Sequence, residues 1–112
     1  MESTRKNKIS RLIQKNLGII FQKETNKLIE KKMISVTKVY VSADFSSARI
    51  FISIFPTNDP KRSLNTIRDN KSILRRLLGV RLRNQLRIIP ELNFHLDDSA
   101  EYADEIERLL KK

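Results

Sequence analysis

A chain of 112 residues without cysteine is the length of one domain, and it carries no disulfide framework, thiolate nucleophile or zinc–thiolate site. Its net charge of +10 is unevenly spread: residues 1–32 carry +6, 33–59 are neutral, 60–90 carry +8 and 91–112 reverse to −4. Such a field favours a polyanion, nucleic acid before anionic membrane, and no apolar run approaches the ~18 residues of a membrane span. The N-terminus lacks the apolar core of a signal peptide, so a cytoplasmic protein is expected.

Ser3 or Thr4 is placed to cap a first helix. Ile9, Leu12, Ile13, Leu17 and Ile20 then recur at helical spacing, which predicts a helix from about Arg5 to Ile29. Lys8, Arg11 and Lys15 share another face of it. From Ile34 the period becomes two, with Val39 and Val41 alternating against Lys38 and Ser42. Ala48, Ile50, Ile52 and Ile54 continue that alternation beyond the turn "SADFS", so a hairpin is predicted. Phe51 and Phe55 fall on its opposite face.

"PTNDP" stops the second strand, and Pro60 suits the first turn of a new helix whose apolar side is Leu64 and Ile67. The stripe then changes phase to Ile73, Leu74, Leu77, Leu78 and Leu82, which predicts a bend at Asn70, Lys71 and Ser72. Arg75, Arg76 and Arg83 lie away from that stripe. Arg81 falls on the apolar side, so either the helix breaks near Gly79 or the arginine extends along its own stem to water. Pro90 ends the helical segment. Leu92, Phe94 and Leu96 alternate as a third strand, and Asp98 or Ser99 precedes a last helix presenting Tyr102, Ile106, Leu109 and Leu110. The order is helix, strand, strand, helix, bent helix, strand, helix: one two-layer α+β domain over residues 1–112, with 99–112 as its C-terminal helix.

Enzyme chemistry finds few candidates. His95 is the single histidine, with no partner residues for a metal. Asp97 and Asp98 point to opposite faces of a strand and are better placed as a turn and helix cap. Asp44 belongs to the hairpin turn, and two glycines cannot make a phosphate loop. No catalysis, cofactor, metal or small-molecule substrate is expected. The arginines remain: planar forks of donors that match phosphate oxygens and give salt-sensitive, largely sequence-independent affinity. With five Phe, two Tyr and no Trp, recognition of RNA backbone and shape is expected over reading of unpaired bases.

Several patches resemble the ribosome-binding factor A family. They are "VYVSADFSSARIFIS" (Val39–Ser53), the run Leu74–Arg75 with Leu77–Leu78–Gly79, and Leu86–Arg87 with Pro90–Glu91–Leu92, Phe94, Asp97 and Ser99. The resemblance covers nearly the whole chain. It implies a type II KH-like fold and a bacterial factor that binds the immature small (30S) ribosomal subunit and its 16S rRNA in late maturation. The family carries an Ala-x-Gly kink between its paired helices, where this chain has Asn70, Lys71 and Ser72. The expected RNA-binding residues are Lys71, Arg75, Arg76, Arg81, Arg83 and Arg87, extended by Lys8, Arg11 and Lys15. In this reading the leucine side of residues 72–86 packs on the sheet while the arginine side meets phosphates. A monomer is expected. The competing readings are a module docking acidic proteins and a nonspecific DNA-binding protein.

Overall fold

The computed structural model describes residues 2–28, 33–55 and 59–97. The elements run α1 (Glu2–Leu28), β1 (Met33–Val41), β2 (Ser47–Phe55), α2 (Pro60–Asp69), α3 (Lys71–Leu82) and β3 (Glu91–Leu96). The strands form one sheet in the order β1-β2-β3, with β1–β2 antiparallel and β2–β3 parallel. The helices pack against one face of the sheet, the α+β arrangement expected from the sequence. The proposed C-terminal helix (99–112) and its caps lie outside the described residues, as do residues 56–58 and 29–32.

The core is built from the predicted stripes. Ile13, Leu17 and Ile20 of α1 meet Val39, Val41, Ala48, Ile50, Ile52, Leu92 and Phe94 of the sheet, with Leu64, Ile67, Leu74, Leu78 and Leu82 closing the other side. Phe21 belongs to this core as well, edge-on to Phe94 at a centroid separation of 6.1 Å. α1 begins at Glu2, ahead of the expected caps Ser3 and Thr4.

In β1 the buried positions are Ile34, Val39 and Val41, which a regular strand cannot place on one face. A bulge resolves the parity. Val36 pairs with Ile52 and Lys38 with Phe51, leaving Thr37 as the extra residue. The Thr37 hydroxyl donates to the Phe51 carbonyl (3.2 Å), and Gln14 Nε2 of α1 donates to the carbonyls of Val36 (3.1 Å) and Thr37 (3.3 Å). Backbone groups that the bulge takes out of the ladder are thereby satisfied.

The hairpin turn is held by Asp44. Its carboxylate accepts from the Ser42 and Ser46 hydroxyls (2.7 Å each) and from the Ser46 amide (3.1 Å). The Ser46 and Ser42 hydroxyls, followed by the Ser46 amide, hold its pKa down at about 2. Phe45 takes φ 60°, unusual for an aromatic residue. Its ring packs against the core and lies under the Arg5 guanidinium of α1, 5.4 Å from the ring centre.

Candidate nucleic-acid interface

The α2–α3 junction is a single residue. Asp59 caps α2 by accepting from the Arg62 amide (3.1 Å), and Pro60 fills the first helical position. At the other end Asn70, with φ −104° and ψ 14°, donates its amide to the Ile67 carbonyl (3.0 Å). Its side chain donates to the Thr66 carbonyl (2.8 Å), and its own carbonyl accepts from the Leu74 amide (3.0 Å), which starts α3. Asn70 thus closes one helix and opens the next, while Lys71 and Ser72 form the first turn of α3 rather than part of an extended bend.

Two expectations for α3 require correction. The helix ends at Leu82, short of the expected packing run of residues 72–86 and of the stop at Pro90: the Gln85 and Leu86 amides both donate to the Leu82 carbonyl (2.8 Å each), and residues 83–90 leave the helix. Leu86 keeps the apolar period and packs on the core, so the pattern outruns the helix. Ile88, Ile89 and Pro90 then bring the chain back to pair β3 beside β2. Second, Ile73 is not on the packed side; it is 40 % exposed, on the outward stripe with Arg76, Val80 and Arg83. Positions 73, 76, 80 and 83 follow helical spacing directly away from buried Leu74, Leu78 and Leu82.

The helix does not break at Gly79. Arg81 reaches sideways from the edge of the buried stripe, and its Nε donates to Asn16 Oδ1 of α1 at 3.0 Å. Asn16 is largely buried and donates its own amide to the Leu12 carbonyl (2.8 Å). Arg75 flanks the other edge. Its Nη2 donates to the Ile89 carbonyl (2.6 Å), and its Nε lies 3.2 and 3.3 Å from the Ile89 and Pro90 carbonyls. Arg75 therefore fastens the returning loop to α3 as well as carrying charge. Arg68, which the sequence reading passed over, does the same for β3, donating from Nε and Nη2 to the Phe94 carbonyl (3.1 and 2.8 Å).

The predicted cations thus divide. Arg76, Arg83 and Arg87 are exposed and make no hydrogen bond or ion pair with the other described residues. Lys71 is exposed and lies 3.7 Å from Glu91. Ser72, Arg75, Arg76, Arg87, Ile88 and Ile89 line an open cleft of about 460 Å³ between α3 and the loop. An adjoining cleft of about 440 Å³ runs along Lys71, Ser46 and Glu91. Ile88, 74 % exposed, stands on their common wall. Lys8, Arg11 and Lys15 do not enter either cleft. They are exposed on α1, which is coupled to α3 through the Asn16–Arg81 bond, so both sets of cations belong to the outer surface of the helix layer. Asn16 and Ile88 were missed as site-building residues; the visible signal for Asn16 was a lone amide within an apolar stripe.

The surface presents arginine forks at solvent beside small apolar contacts, and Glu91, which lines the adjoining cleft, is beside a lysine. This is chemistry suited to a phosphate backbone. The fold and the site together define a type II KH-like domain with a basic helical surface. The family model for ribosome-binding factor A matches residues 5–110. The chain belongs to the ribosome-binding factor A family. The family's protein from Cytophaga hutchinsonii is 43 % identical over 112 residues, spanning all of this chain and 84 % of the relative. The crystal structure of ribosome-binding factor A from Thermus thermophilus superposes with a TM-score of 0.66 at 19 % identity, over 81 % of this chain and 94 % of that one. A Thermus thermophilus ribosome binding factor A fitted into a cryo-EM map of a 30S complex gives 0.62 at 22 % identity, over 78 % and 89 %. These structures agree on the fold.

Proposed function

We propose that the chain binds the small ribosomal subunit through the outward face of α3 and the 83–90 loop, contacting the phosphates of 16S rRNA. It acts in late maturation of the 30S particle by occupying and holding an rRNA conformation, with no catalytic step. Membership of the family supports this reading, as does the Thermus relative fitted into a 30S complex. The observation that carries it is the division among the arginines. Arg75 and Arg81 are bound to neighbouring elements, whereas Arg76, Arg83 and Arg87 point to solvent with their donors available. The chain acts as a monomer, in the cytoplasm where bacterial ribosomes are; among the described residues no helix is long and apolar enough to cross a membrane.

The test is sucrose-gradient sedimentation with immature and mature small subunits and intact ribosomes. Wild-type protein is expected to comigrate preferentially with immature small subunits, and Arg76→Glu/Arg87→Glu to stay at the top of the gradient while remaining folded by circular dichroism. Unchanged comigration of that variant, or absence of the wild type from small-subunit fractions, would overturn the assignment. Equal affinity for rRNA and duplex DNA would instead favour nonspecific nucleic-acid coating.

A further inference from the structure

The described helices α1–α3 cover one face of the sheet, and the other face has its own chemistry. Its side chains alternate with the core residues Val39, Val41, Ile50, Ile52, Leu92 and Phe94. The strand register sets them in two adjoining rows. Lys38 lies opposite Phe51, which lies opposite His95; Tyr40 lies opposite Arg49, which lies opposite Asn93. The rings form a connected array. Tyr40 and Phe51 meet edge to face at 5.8 Å and 84°, and Phe51 and His95 lie 5.4 Å apart at 34°. The Arg49 guanidinium sits 5.6 Å from the centre of the Tyr40 ring. Tyr40 remains 49 % exposed.

We propose that this face is a stacking platform for an unpaired stretch of RNA, distinct from the phosphate-binding surface of α3. Tyr40 is the leading ring, with Phe51 and His95 continuing the platform across the sheet. Lys38 and Arg49 alternate with the rings, where they can neutralise backbone phosphates between stacked bases. The Asn93 amide offers both a donor and an acceptor to a base edge. The combination of π faces, cations and one amide is what single-stranded nucleic acid requires. The six residues of the two rows include no carboxylate; Glu91, at the start of β3, is drawn towards Lys71, and Asp97 follows the end of β3. Charge therefore favours a polyanion over a protein surface poor in acidic groups, and the aromatic content separates this face from α3, whose outward apolar residues are aliphatic. The inference rests on the reading of the chain as an RNA binder, but it uses residues that reading does not.

The experiment titrates the full chain with single-stranded RNA octamers, octauridylate and octaadenylate, at fixed salt. Ring-proton NMR shifts of Tyr40, Phe51 and His95 and fluorescence anisotropy of labelled octamer are followed together. Saturable upfield shifts at all three rings are expected. Tyr40→Ala should weaken octamer binding on the order of tenfold, Arg49→Ala should weaken it as well, and Tyr40→Phe should retain wild-type affinity. Octamer-independent ring shifts that grow with protein concentration would assign the face to a second copy and overturn the proposal. So would octamer binding that leaves the rings unshifted, or that Tyr40→Ala does not change. Failure here alongside normal small-subunit comigration would leave the function of α3 standing. Octamer binding at the rings without subunit comigration would remove the ribosomal assignment and keep the platform.

Discussion

Arg75 and Arg76 are adjacent in sequence and have different duties in the fold. Arg75 donates to the carbonyls that bring the chain back to β3, whereas Arg76 projects to solvent. Arg75→Ala is expected to lower unfolding free energy in urea by about 1 kcal/mol, since the charged donors to the Ile89 and Pro90 carbonyls are lost. Arg76→Ala should change it by less than about 0.5 kcal/mol while still weakening subunit binding. Equal stabilities for the two variants would contradict the assigned roles. Gly18 lies inside α1, and a methyl group there would meet nothing within 4 Å. Gly18→Ala should therefore stabilise the protein by about 0.5–1 kcal/mol, read as a rise of a few degrees in Tm. At Asp44 the folded pKa of about 2 lies below the ordinary 3.8. Because the folded value is the lower one, the contribution of its carboxylate is complete above pH ~4 and is lost as pH falls through ~2. An NMR titration of the Asp44 carboxyl should give a midpoint near 2; a midpoint near the ordinary value would mean that the Ser42 and Ser46 bonds do not persist in solution.

At the scale of elements, periodicity found what buried side chains dictate. The stripe of α1, the isoleucines of β2 and the phase change between Leu64–Ile67 and Leu74–Leu78 all appear in the core as read. What periodicity cannot see is where a helix stops when the next apolar residue still fits the pattern, as Leu86 does after Leu82. Nor can it see a bulge: the parity switch between Ile34 and Val39 is visible in the sequence, but only the pairing with β2 assigns the extra residue to Thr37. The site was half legible for the same reason. Outward direction marked Arg76 and Arg83 correctly as solvent-facing, but the sideways reach of Arg75 and Arg81 depends on which carbonyl or amide a neighbouring element supplies. Asn16 and Arg81 couple α1 to α3, so a double-mutant cycle on Asn16→Ala and Arg81→Ala should return a favourable coupling of about 0.5–1.5 kcal/mol. Strict additivity would mean that the two helices are joined by packing alone.

Across the whole molecule, the charge pattern and the fold agree. α1 lies within the basic segment 1–32 and the α2–α3–loop unit within 60–90, and their exposed cations share the outer surface of the helix layer. The neutral segment 33–59 supplies β1 and β2 with Tyr40 and Phe51 of the opposite face, whose rows Asn93 and His95 of β3 complete. The molecule thus presents two chemically different faces: one of outward arginines, the other of rings with interspersed cations. The family resemblance carried the reading from a basic α+β domain to the ribosome; charge alone would have stopped at a polyanion.

The most direct measurement is the salt dependence of affinity for the small subunit, with wild-type protein and Arg76→Gln/Arg83→Gln/Arg87→Gln. Each phosphate contact contributes roughly 0.7–0.9 to the slope of log affinity against log salt. The triple variant should therefore bind more weakly and with a slope shallower by about 2–3 units. A weaker variant with an unchanged slope, or unchanged affinity, would show that these three arginines do not contact rRNA phosphates.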